Sequence, residues 1–189
     1  MAIFVLETRR FADERGWFSE TYSAGKLRSI GITDVFVQDN QSFSLASGTL
    51  RGLHFQTPPH GQAKLVRCAT GCFLDVVVDV RQGSPTFGQS LTVELSAENG
   101  QQIYIPVGFA HGFVTLVPNT EICYKVSCAY SPESDAGIRW NDPALVIDWG
   151  LLGTEPVISA KDRQLPLFSD WNSPFSYDGI PMSLTRVSL

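Results

Sequence analysis

Histidine is scarce in this chain. His54, His60 and His111 are the only three in 189 residues. A three-histidine metal site would have to use all of them, including His60 in the turn "PPHG". Cysteine is no more promising. Cys68, Cys72, Cys123 and Cys128 fall at spacings that match no common zinc pattern and have no histidine pair beside them. They lie in apolar, strand-like segments and read as reduced thiols acting as small hydrophobes. No apolar run approaches the roughly 20 residues of a membrane-spanning helix. The opening residues lack the basic-then-apolar pattern of a secretory signal, so the expected location is cytoplasmic. Positive charge is in the minority, with 14 Lys and Arg against 19 Asp and Glu and a net charge of −5. That disfavours nucleic acid or an anionic membrane as a partner. It also makes every arginine or lysine in an apolar setting worth following.

What the chain does have is strands. Charged residues are 17% and hydrophobic residues 43%, the balance of a folded globular protein. The length fits one domain spanning residues 1–189. Its last twenty residues, from about 170, are expected to form an arm packed on the surface. Strand-like runs fall near 3–8, 35–45, 48–56, 63–70, 72–81, 86–96, 101–106, 111–118 and 120–129. Turn signals such as "TPPHG", "RQGSP" and "AENG" separate them. Many short strands with Gly/Pro turns predict an all-β sandwich or barrel. Short helices are expected over 23–31 and 159–164, the second with Ser159 as N-cap.

Two stretches carry chemistry. In "GTLRGLHFQ" (48–56), strict alternation puts Thr49, Arg51 and Leu53 on one face and Leu50, Gly52 and His54 on the other. In "CFLDVVVDV" (72–80), Leu74, Val76, Val78 and Val80 share one face, with Asp75, Val77 and Asp79 opposite. Taken alone, that strand is half-buried with its carboxylates in water; the other reading turns Asp75 into a barrel to face a base. The stretch "GQQIYIPVGFAHGF" supplies Gly100, Pro106, Gly108 and His111 as G-x5-P-x-G-x2-H. This resembles the second motif of the cupin superfamily, and a cupin-type jelly roll with a few short helices is the fold it implies.

A closer resemblance covers residues 3 to about 168. The blocks "FADERGWFSETY", "VQDNQS", "TLRGLHFQTPPHGQAKLVR", "DVVVDVRQGSPTFGQ", "IPVGFAHGF", "YKVSCAYSPE", "GIRWNDP" and "SAKDRQLP" occur in this order. Together they resemble the dTDP-4-dehydrorhamnose 3,5-epimerase family. The resemblance implies a homodimeric isomerase with no cofactor and no metal. It would act on a dTDP-4-keto-6-deoxy sugar by removing protons at C3 and C5 through an enolate.

Such chemistry needs a base, an acid on the other face, and a cation at the developing oxyanion. The resemblance implies His54 as base and Tyr124 as acid, with Lys64 beside the ketone oxygen. Asp162 would orient His54, and Asp75 is a second carboxylate able to do so. Without the resemblance, Tyr124 reads as a barrel-wall aromatic and Lys64 as a solvated strand lysine. For the nucleotide, the Arg51 fork suits a pair of diphosphate oxygens, and the resemblance implies Arg15 as a second phosphate contact, Glu20 at the thymidine and Tyr130 stacked on thymine. Gln38 and Asn40 would supply amide contacts, and His111, Asp135 and Lys161 further substrate contacts. Asp135 stands where the family commonly has Glu. Other readings stay open at this point: epimerisation at C3 or C5 only, a metallocupin oxygenase, or a non-catalytic nucleotide-sugar binding module.

Overall fold

The structure is a computed structural model and describes residues 2–189. In chain order the elements are β1 (Ile3–Glu7), β2 (Phe11–Asp13), β3 (Gly16–Phe18), α1 (Ala24–Ser29), β4 (Gln38–Ser44), β5 (Thr49–Gln56), β6 (Lys64–Thr70), β7 (Cys72–Asp79), β8 (Ser90–Ser96), β9 (Gln101–Ile105), β10 (Phe109–Thr115), β11 (Thr120–Val126), β12 (Asp135–Gly137), β13 (Val157–Ile158), α2 (Ala160–Arg163) and β14 (Leu184–Ser188). One sheet runs β14-β1-β9-β6-β11-β4 and the other β12-β5-β10-β7-β8, with β13 parallel to β5. This is the all-β architecture that the turn spacing predicts, in the cupin form that the motif resemblance implies.

Three apolar clusters follow from the strand period of two. Ile3, Val5, Val66, Val77, Ile103, Phe109 and Ile122 come from both sheets and fill the space between them. Val76, Val78, Val80, Leu50, Leu53 and Ala110 point the other way, under a cover that includes Leu145, Trp149 and Phe175. Leu27 of α1 seals Leu6, Leu65 and Tyr104 on the outer face of the first sheet. β7 is therefore covered on both sides, which explains its near-continuous apolar run. Its carboxylates are not in water, because Asp75 and Asp79 are both 0% exposed.

The alternation expected in β5 fails at its centre. His111 pairs with His54, but Phe113 pairs with Arg51, so three steps on β5 oppose two on β10. That extra residue is a β-bulge, and it re-aims the side chains beyond it. Arg51 and His54 therefore line the same cavity, where regular pleating would separate them. Gly52 makes the close approach possible. Its φ is +132°, and a Cβ there would lie 2.5 Å from the Gly112 Cα.

Other departures are local. The β2–β3 hairpin leaves Phe11, Trp17 and Phe18 exposed. The C-terminal segment adds β14 to the first sheet, parallel to β1, and sends Phe175 into the outer core. Only Cys68 is a buried thiol; Cys72, Cys123 and Cys128 are half-buried, and all four are free. Burial pushes Cys68 and Cys72 up to about 11, the range of unreactive thiols. Among the described residues, no helix is long and apolar enough to cross a membrane.

Candidate active site

Two cavities of about 540 and 510 Å³ meet between the sheets, and His54, Lys64 and Tyr124 line both. His54 stands on β5 in the second sheet; Lys64 and Tyr124 stand on β6 and β11 in the first. The histidine and the tyrosine thus come from opposite walls. One lobe adds Arg51, His111 and Asp162. The other adds Gln38, Asn40, Tyr130, Asp135 and Lys161.

His54 Nε2 lies 2.8 Å from Asp162 Oδ1. The backbone N–H of Gly52 donates to Asp162 Oδ2 at 3.2 Å. The sequence arranges this locally. Ser159 caps the four-residue helix α2 by accepting from Asp162 N–H at 3.0 Å, which fixes the aspartate over β5. Burial pushes the Asp162 carboxyl up, but hydrogen bonds from His54, Gly52 and Ser159 outweigh it and hold it below the usual carboxylate range. A carboxylate at Nε2 places the proton there and leaves Nδ1 as a lone-pair acceptor.

A second pair lies next door, because His111 is the register partner of His54. His111 Nε2 is 2.7 Å from Asp75 Oδ2. The two histidine–carboxylate pairs separate what the sequence left open: Asp162 orients His54, and Asp75 holds His111. Burial lowers the His111 ring below its ordinary value despite the pull of Asp75. Lys64 has its Nζ 3.5 Å from the His54 carbonyl oxygen. Burial lowers it to about 8, with Asp75 and then Asp135 working in the other direction. Burial also raises Tyr124, partly offset by the charge of Arg51, so the phenol is protonated at neutral pH.

In the second lobe, Asp135 Oδ2 accepts from Lys161 Nζ at 2.5 Å and from Tyr130 Oη at 3.1 Å. Gln38 donates to Asn40 at 2.8 Å and accepts from Tyr130 N–H at 3.1 Å. The Arg51 guanidinium is exposed and donates at 3.3 Å to the Phe43 carbonyl. Arg15 and Glu20 are not brought to this chain's own cavity. Arg15 pairs with Asp13 at 2.5 Å and Glu20 with Lys26 at 3.0 Å.

Sequence reasoning missed Gln56. It is buried, donates to the His60 and Ala129 carbonyls at 2.7 and 3.2 Å, and accepts from Ser131 N–H at 2.8 Å. It thereby sets the loop that carries Tyr130. The available signal was an amide inside an apolar strand, which needs partners when buried. His60 reaches Ser134 at 3.0 Å and lines neither lobe. Among the described residues, no group of three or more His, Cys, Asp or Glu could hold a metal ion.

The fold is a jelly roll of the cupin type, and its cavity is walled by two histidines, each paired with a carboxylate, and by a lysine and a tyrosine. The chain belongs to the dTDP-4-dehydrorhamnose 3,5-epimerase family, whose sequence model matches residues 2–170. The dTDP-4-dehydrorhamnose 3,5-epimerase of Salmonella typhimurium is 51% identical over 166 residues, covering 87% of this chain and 90% of that protein. The crystal structure of the Bacillus anthracis enzyme, with TDP and PPi bound, superposes with a TM-score of 0.84 at 50% identity. It covers 87% of this chain and 93% of its own. The Legionella pneumophila enzyme, solved with dTDP-4-keto-L-rhamnose, gives 0.82 at 47% identity and 86% coverage of both chains.

Proposed function

We propose that this chain epimerises C3 and C5 of dTDP-4-dehydro-6-deoxyglucose, with His54 as base and Tyr124 as acid. The observation that carries this reading is the His54–Asp162 pair on one wall of the cavity, with Tyr124 and Lys64 on the other. Nδ1 of His54 takes the proton from the carbon next to the ketone. The C–H electron pair moves into the C3–C4 or C4–C5 bond, and the carbonyl pair moves to the oxygen. Lys64 stabilises that enolate. Tyr124 then delivers a proton to the opposite face, which inverts the carbon, and solvent restores both groups.

The two lobes suit the two halves of the substrate. Tyr130, Gln38, Asn40, Lys161 and Asp135 offer an aromatic face and polar contacts to the nucleotide. Arg51 offers a fork to phosphate oxygens. Arg15 and Glu20 act in the neighbouring subunit of a homodimer. Their hairpin carries Phe11, Trp17 and Phe18, all more than half exposed at 51%, 59% and 69%, as an unpartnered segment would.

The test is an NMR time course of the ketosugar nucleotide with the enzyme in deuterated water. Deuterium entering both C3 and C5, with inverted product, is the expected outcome. Deuterium at one carbon only would reassign the chain to a single-carbon epimerase. No exchange with intact dTDP binding would make it a binding module.

A further inference from the structure

The loop over 127–134 carries Tyr130 to the second lobe on irregular backbone. Its peptide groups must find partners outside any sheet. The segment "QTPPHGQA" (56–63) supplies them. Gln62 Nε2 donates to the Cys128 carbonyl at 2.7 Å. Ser127 N–H donates to the Ala63 carbonyl at 3.0 Å, and Thr57 N–H to the Ser134 carbonyl at 2.8 Å. At the centre is Gln56, which is 3% exposed. Its amide donates to the Ala129 carbonyl at 3.2 Å and accepts from Ser131 N–H at 2.8 Å, one on each side of Tyr130. A further bond to the His60 carbonyl at 2.7 Å ties the same amide to the turn. Only a carboxamide carries donors for two carbonyls and an acceptor for an N–H in one group.

Gln56 also belongs to the wall that carries the base. It ends β5 two residues after His54, so both side chains project to one face, and both line the second lobe. Its register partner is Asp135, which accepts from the Tyr130 hydroxyl at 3.1 Å. Gln38 accepts from Tyr130 N–H, also at 3.1 Å. Tyr130 is thus held through both neighbouring peptides, its own N–H and its hydroxyl, while the residue stays 57% exposed. An aromatic held at its edges and open at its face is a preformed platform for a planar ligand. Resting on the reading of Tyr130 as an aromatic face for the nucleotide, we propose that Gln56 is a positioning residue for nucleotide binding. It fixes the Tyr130 loop to the strand of His54 before the nucleotide arrives.

Gln56→Leu keeps a buried side chain of similar size but removes these hydrogen bonds. The loop must then be ordered on binding, and that cost falls on affinity. Calorimetric dTDP affinity should drop by about tenfold. KM for the ketosugar nucleotide should rise by a similar factor, with kcat falling by less than about twofold, because the lost interaction is shared by bound substrate and transition state. A double-mutant cycle separates positioning from a merely structural role. Once Tyr130→Ala is present, Gln56→Leu should cost little further affinity, since Gln56 acts through that ring. Additive losses in a folded double variant would overturn the proposal.

A measurement on the unmutated protein covers the case in which Gln56→Leu fails to fold. In the nucleotide-free protein, the Ser131 N–H should exchange with deuterated solvent at least about tenfold more slowly than an unstructured amide, and dTDP should change that little. Exchange at the unstructured rate, with protection arriving only when dTDP binds, would show that the nucleotide itself orders the loop and would sink the idea. The nucleotide-free measurement reads the grip of Gln56 apart from the assignment of the nucleotide site. Unchanged dTDP affinity in Tyr130→Ala would overturn that assignment, and the proposal with it.

Discussion

Two aspartates four residues apart on β7 face the same interior and live differently. Asp79 accepts from Arg81 Nε at 2.9 Å and Nη2 at 2.7 Å, from Arg81 N–H at 3.0 Å, and from the hydroxyls of Ser84 and Thr86 at 2.7 Å. Arg81 is itself 2% exposed. It stacks on Phe109 at 4.4 Å and reaches Asp178 in the C-terminal segment at 2.7 Å. Burial pushes Asp79 up, but these donors outweigh it and hold it below the usual carboxylate range. Asp75 has one partner and one bare oxygen. A closed network fixes a single arrangement, whereas an incompletely satisfied one keeps hydrogen-bonding capacity and charge in reserve. On one strand, the first ties down the fold around Arg81, and the second holds His111, which lines the cavity.

Substitutions should separate the two clusters by what they damage. The largest effect on rate is expected at the cavity. His54→Asn should lower exchange at C3 and C5 by about 10²–10⁴ while dTDP affinity and melting temperature stay near wild type. Near-normal exchange in that variant would remove His54 as the base. At the other cluster, Arg81→Met leaves the Asp79 carboxylate buried without its counter-ion, although the backbone N–H and the Ser84 and Thr86 hydroxyls still donate to it. It should cost about 3–5 kcal/mol of stability, read by urea unfolding, with little change in rate per folded molecule. The pH sign follows from Asp79. Its contribution is complete above the unfolded carboxylate value near 4 and is lost as pH falls through its lowered folded value. Arg81→Met should flatten that acid dependence, and an unchanged acid profile would show that the pair does not govern it.

A smaller and more selective change is expected at Tyr124. Tyr124→Phe keeps the ring but removes the acid, so His54 can still take a proton and return a deuteron on the same face. Exchange should then exceed inversion in one NMR time course. An exchange-to-inversion ratio equal to wild type, with both rates intact, would make another group the acid.

Much of this contrast is written in local sequence, but not all of it. Strand positions follow from periodicity and turn residues and the cap on α2 from Ser159, whereas the inward Asp75 follows only from the family resemblance. The meeting of Arg51 and His54 is not in the local pattern either. It depends on a bulge, which breaks the period of two that sequence reasoning relies on. Asp79 looked like the solvent face of a half-buried strand because its main partner, Arg81, lies beyond the strand's end. The second carboxylate that Arg81 reaches, Asp178, lies 97 positions from it. Long-range partners of that kind leave no local pattern. The same holds for β14, whose pairing with β1 joins the two ends of the chain. Arg15 and Glu20 are a further case, since nothing within one chain brings them to its cavity.

The smallest effect should come from the outer edge of the Arg81 cluster. Asp178 is 40% exposed and takes one guanidinium nitrogen of Arg81, whereas Asp79 takes two nitrogens in full burial. An ion pair open to water contributes about 0–1 kcal/mol because solvent screens it. Asp178→Asn keeps an acceptor for Arg81 and for the Ile180 N–H, which lies 3.0 Å away. The loss should therefore be about 1 kcal/mol or less, and smaller still at high salt. Arg81→Met should be several times worse and largely insensitive to salt. If the two variants cost the same, the C-terminal segment rather than the buried Asp79 would be what the arginine stabilises. The contrast between the clusters would then be one of tail docking against catalysis, not of satisfied against unsatisfied burial.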